Sequence, residues 1–90
     1  MSHSMLGGNL ADMDAMARQF GQRAHQVREI VAALNTEAAK VNVSWTGPGA
    51  TRFGEAWQNY KAAFERMAVE LEEASKVINT YRANIESATR

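Results

Sequence analysis

An apolar residue recurs every three or four positions along nearly the whole chain, and this regularity excludes most folds. In the first half the series runs Leu10, Met13, Ala17, Phe20, Ala24, Val27, Val31, Leu34, Ala38 and Val41, its steps alternating between three and four without a break. In the second half it runs Phe53, Trp57, Tyr60, Phe64, Met67, Leu71, Ala74, Ile78, Tyr81, Ile85 and Ala88. A spacing of about 3.5 residues fits the turn of an α-helix and not the two-residue period of a strand. Held this long, it specifies two long helices packed along a narrow seam. One Pro in the chain, at Pro48, and a wealth of Ala, Met, Glu, Gln and Arg agree with that.

The repeat breaks once, at "NVSWTGPGATRF", residues 42–53. Pro48 lacks an N–H and suits the first turn of a helix, with Gly47 or Thr46 as its N-cap. A break this short folds the helices back antiparallel. The fold class is therefore all-α: an antiparallel two-helix hairpin. The expected organisation is a loose N-terminal tail over residues 1–8 and one helical-hairpin domain over residues 9–90. Within it the first helix covers about 9–42, the turn about 43–48 and the second helix about 49–88. A fold-back centred on Trp45–Thr46 sets Met67 against Ala24, Leu71 against Phe20 and Ala74 against Ala17, large residues mostly meeting small ones. Gly21 in mid-helix costs about 1 kcal/mol against Ala, so it marks a bend or a close approach.

Labelling the heptads with a at Leu10 and at Trp57 makes Met13 a d residue and puts Met16, Ile30, Ala56, Ala63 and Val77 on the g rows. In an antiparallel pair these rows share one flank. The e rows, Asp14, Gly21, Arg28 and Asn35 against Gly54, Lys61, Ala68, Ser75 and Arg82, take the other and are more polar. A ninety-residue chain buries only a small core. The apolar g flank therefore reads as a partner interface that closes two hairpins into a four-helix bundle. The plainer reading is a wide amphipathic face with some exposed alanine.

Several function classes find no support. Lys+Arg and Asp+Glu each number 10, so no basic excess points to nucleic acid. There is no Cys, and His3 and His25 form no ligand pair, so neither a metal nor any other cofactor is implied. Glu70, Glu72 and Glu73 read as a solvated charge cluster, with Glu72 and Lys76 at i, i+4 spacing. The "GPG" of the turn lacks the lysine and the preceding strand of a phosphate loop. No catalytic residues emerge, and the chain reads as a binding protein rather than an enzyme. No run approaches a membrane span, and the N-terminus has no basic segment or long apolar stretch of a secretory signal. The narrow apolar stripe suits a seam better than a membrane surface.

Trp45-Thr46-Gly47 is a W-x-G tripeptide at the midpoint of two heptad-patterned helices. A chain of about a hundred residues so built resembles the WXG100 superfamily, the small effectors and carriers of type VII secretion. The resemblance covers Leu10 to Ala88. It implies that Trp45 and Gly47 help form a feature recognised by the secretion machinery, beside the plainer role in which Trp45 caps the core over Val41 and Phe53. It implies a dimer, with a paralogue or with itself, exported to the outside without a cleaved signal peptide after a cytoplasmic stage. The family's C-terminal Y-x-x-x-[DE] signal is off-register here: Glu86 stands five residues after Tyr81, and Tyr81 falls on the expected seam. That departure leaves three readings, a sequence that continues past residue 90, a tolerated wider spacing, or a partner carrying the tail signal, and it favours the last. The alternatives are a cytoplasmic helical interaction module without an export role and a membrane-active helical protein.

Overall fold

The computed structural model describes residues 8–89. They form two helices and no strand: α1, Leu10–Ala38, and α2, Pro48–Thr89. The two pack antiparallel into a rod of 65 × 16 × 14 Å. The 42 residues of α2 span about 63 Å at the usual helical rise, so α2 sets the length of the molecule. Most of the expected tail lies outside the described residues. Its last member, Gly8, packs where an added Cβ would meet the Met13 sulfur at 3.1 Å and Ile85 at 3.7 Å.

Both helix starts follow from local chemistry. Asn9 caps α1: its side-chain oxygen accepts from the Asp12 N–H at 3.0 Å, satisfying one of the orphan donors of the first turn. At α2, Pro48 takes the first helical position, and the Thr51 N–H bonds the Gly47 carbonyl at 3.1 Å.

The end of α1 departs from expectation. The helix stops at Ala38, not near residue 42, although the apolar spacing continues through Val41. Asn42 takes the left-handed conformation, φ 69°, which Asn tolerates better than most residues. Its N–H bonds the Trp45 carbonyl at 2.6 Å, and Val41 and Trp45 form an isolated bridge. The connection is thus a closed loop over residues 39–47, and α2 outruns α1 at this end.

The seam also differs from expectation. In α1 the a row lies at its centre: Ala17, Ala24 and Val31 are buried. In α2 the a row pairs with the e row, not the d row. Ala68 is fully buried, whereas Met67 beside it is 47 % exposed. Ser75, not Ala74, meets Ala17, donating its hydroxyl to the Ala17 carbonyl at 2.7 Å. Arg82, not Tyr81, meets α1 at Asp14, while Tyr81 is 60 % exposed and off the seam. Relative to the a/d reading, α2 is rotated about 50°, half the angle between consecutive helical residues. The cause is in the e rows. They hold Gly21, Gly54, Ala68 and Ser75, small residues that let backbones approach, and groups that pair across the seam: Asp14 with Arg82, and Asn35, which accepts from Trp57 of the a row.

Candidate functional site

The loop and the first turns of α2 build one end of the rod. Because α2 outruns α1, its first turns lack a helical neighbour, and loop residues cover them. Val41 lies over Gly54, where an added Cβ would sit 3.6 Å from the valine methyl. The Trp45 indole lies beside Gly49, 3.6 Å from the corresponding position, and stacks on Phe53 with ring centroids 5.7 Å apart and planes tilted by 46°. Ala50 beneath is fully buried. This is why a tryptophan sits in the turn: its ring contacts the part of α2 that α1 does not reach. Yet it remains 49 % exposed, with its neighbour Val43 at the tip more exposed still.

Gly47 has a different task. Its φ is +105°, a conformation side chains rarely adopt, and nothing lies within 4 Å of where a Cβ would be. Glycine is required there by the backbone and not by crowding. The Trp45–Thr46–Gly47 segment is therefore a solvent-facing feature held by the backbone bridge at Trp45 and by the helix start at Pro48.

Along the rod the two sides differ. On one side, ionic contacts bind the hairpin. Arg28 donates twice to Glu72, at 2.6 and 2.8 Å. Glu72 thus pairs across the seam with Arg28, where the i, i+4 spacing had offered Lys76. Its hydrogen bond from Arg28 holds the Glu72 carboxyl below its ordinary range, with Lys76 adding a smaller push. Nearer the other end, Arg82 bridges two carboxylates: its Nη1 donates to Glu86 at 2.6 Å, and its Nη2 to Asp14 at 3.3 Å. The Arg82 Nε lies 2.9 Å from Asp14 Oδ1 but is not aligned for a hydrogen bond, so that contact is one of charge. Asp14 first, then Glu86, hold the guanidinium protonated above its ordinary range. A shallow groove of about 620 Å³ opens here between Asp14, Gly21, His25 and Ser75. Polar residues such as Arg18, Gln22 and Asn79 line it together with Ala17, and His25 is engaged at 3.3 Å by Glu29. Among the described residues no group of His, Cys, Asp or Glu could hold a metal ion, and no helix is long and apolar enough to cross a membrane.

The other side is apolar and open. Met16, Ile30 and Val77 stand about half exposed, Ala63 is exposed and Ala56 half-buried. The rotation of α2 adds residues that the spacing assigned to the seam: Phe53, Tyr60, Met67 and Tyr81, with Leu34 from α1. The exposed face is wider than the g flank alone. A signal for it was in the sequence. A d row carrying two tyrosines, whose hydroxyls favour a wet boundary, lies across the a row from an e row that holds Gly54, Ala68 and Ser75.

The structure does not bring Tyr81 and Glu86 together. Five residues along a helix place them about 140° apart, where four would place them about 40° apart. Tyr81 looks out from the apolar side, and Glu86 is tied to Arg82 on the ionic side.

Comparison with known proteins agrees with this architecture. Residues 8–89 match the pattern of the WXG100 family, described as proteins of 100 residues with WXG. The chain is 28% identical over 69 residues to the type VII secretion system extracellular protein A of Staphylococcus aureus strain USA300, covering 77% of this chain and 71% of that protein. The proteins of the same name from strains Newman and NCTC 8325 match equally, at 28% identity over the same share of each chain. No solved structure matches. A W-x-G turn joining two long antiparallel helices, with a family match over all of the described residues, makes this chain a member of the WXG100 family.

Proposed function

We propose that this chain is exported by a type VII secretion system, folded and paired with a second helical hairpin, and that it acts by binding and not by catalysis. Trp45 and Gly47 are the feature offered to the secretion machinery. The observation that carries this reading is the W-x-G turn. It is locally stabilised yet half open to solvent at the end of the rod, as a docking feature needs to be. Its support from kinship is the extracellular, type VII name of the staphylococcal relatives. The apolar side supports the pairing, since exposed stripes of this extent commonly mark interaction sites. The outcome would be a secreted effector or export partner, whose pairing hairpin covers the face holding Met16, Ile30, Ala56, Ala63 and Val77.

Export of a Trp45→Ala variant tests the reading. In the source bacterium, immunoblots of culture supernatant and cell pellet should show wild-type protein outside and the variant retained. Circular dichroism should show the same helicity for both. Normal release of the variant would remove the recognition role from Trp45. Release of wild-type protein from cells lacking the type VII secretion system would remove the type VII route.

A further inference from the structure

The ionic side of the hairpin has a hollow that its own side chains leave unfilled. Arg28 and Asn35 are successive members of the e row of α1, and between them the chain offers this side only Val31 and the small Ala32. Opposite, α2 presents Phe64 and Lys61, both half-buried. The result is a pocket of about 300 Å³ with an apolar floor of Val31, Ala32 and Phe64. Two contacts across the seam bound it, Arg28–Glu72 and Asn35–Trp57, about 10 Å apart at the helical rise.

The uncommitted polar groups around this floor are mostly donors. The Trp57 Nε1 can only donate, so its 3.0 Å bond turns the Asn35 side-chain oxygen toward the indole and leaves the amide N–H groups to face elsewhere. Lys61 is half-buried, yet its ammonium makes no ion pair among the described residues. Glu65, four residues on, lines the rim but is exposed and lies outside ion-pair distance of Lys61. Arg28 is already held by two bonds to Glu72. We propose that the pocket binds a small apolar carboxylate, an acid of the size of a medium-chain fatty acid. Its tail rests on Val31, Ala32 and Phe64, and its carboxylate accepts from the Lys61 ammonium and the Asn35 amide. The size agrees: at roughly 30 Å³ for each water-sized unit, the pocket holds about ten non-hydrogen atoms, as many as octanoate has. An alcohol with the same tail would cover the floor and leave the cation unpaired, and a bare anion would do the reverse. The pocket lies away from Met16, Ile30 and Val77, so a hairpin covering the apolar side leaves it open. The proposal requires neither the pairing nor the export reading.

Sodium octanoate, kept well below the concentration at which it forms micelles, tests this on the purified full chain by methyl NMR. The Val31 and Ala32 signals should shift saturably at concentrations that leave Ile30 and Met67, on the apolar side, unmoved. Octan-1-ol should bind at least about tenfold more weakly, the usual weight of a charge-assisted hydrogen bond, and acetate should leave the signals in place. Lys61→Met keeps the apolar stem and removes the charge. It should raise the octanoate dissociation constant by about tenfold or more and leave the octanol value unchanged. Ala32→Leu fills the hollow with another good helix former, so it should abolish octanoate binding with helicity intact by circular dichroism. Octanoate shifts confined to Ile30 and Met67, or no saturable shift at all, overturn the site. An unchanged octanoate constant in Lys61→Met, or undiminished binding in Ala32→Leu, overturns it equally.

Discussion

At the scale of single residues, the turn separates two requirements that a W-x-G tripeptide runs together. Trp45 is there for what its side chain touches: Gly49, Phe53 and solvent. Gly47 is there for its backbone alone, since φ is +105° and a Cβ would meet nothing within 4 Å. Gly47→Ala should therefore destabilise the hairpin by about 1–2 kcal/mol, the usual cost of forcing an ordinary residue into a sparse backbone region. The same position carrying D-alanine, introduced by semisynthesis, should recover most of that loss. Urea denaturation of the two variants checks it: equal losses would mean that the methyl group itself is harmful. The sequence made this division partly legible. Pro48 and the glycines announced a turn and a helix restart. The extra loop residues did not announce themselves, because Val41 keeps the apolar spacing even though Asn42 has already left the helix.

At the scale of the helices, the repeat revealed that a seam exists but not which side of the a row it uses. The d and e rows flank the a row on opposite sides, and a helix touching two partners needs both. Apolarity pointed to the d row of α2. The intramolecular seam instead uses the e row, where Gly54, Ala68 and Ser75 are small enough for close approach and Arg82 reaches Asp14. Small residues and complementary charges across two e rows are the physical signature that apolar counting passes over. One ionic contact of this side has a consequence in acid. The Glu72 carboxyl is held below its ordinary range by Arg28, so the folded state binds that proton less readily than the unfolded chain does. Its contribution is complete above the ordinary carboxylate range and is lost as pH falls through that range and below it. Thermal melts of Glu72→Gln should show a lower melting temperature than wild type near neutrality and a gap that closes as the pH is taken into the acid range. A gap that stays constant with pH would mean that the carboxylate charge contributes nothing.

At the scale of the molecule, the rotation of α2 links fold to function. With its e row inward, the hairpin is closed by small residues and ion pairs on one side and presents Tyr60, Met67, Tyr81, Ile30 and Met16 on the other. With its d row inward, those aromatics would be used up inside the hairpin and the exposed side would shrink to the g flank. The proposed pairing with a second hairpin draws on the wider face. Intramolecular disulfide trapping tests the rotation most directly. Gly21→Cys with Ser75→Cys joins positions where a Cβ on residue 21 lies 3.6 Å from the serine oxygen. Ala17→Cys with Ala74→Cys joins positions that face each other only if the d row points inward. Under mild oxidation in dilute solution, the first pair should close within one chain, seen as a faster non-reducing gel band and the loss of two thiols by mass spectrometry, while the second stays reduced. Closure of the second pair and not the first would return the d row to the seam and contradict the account.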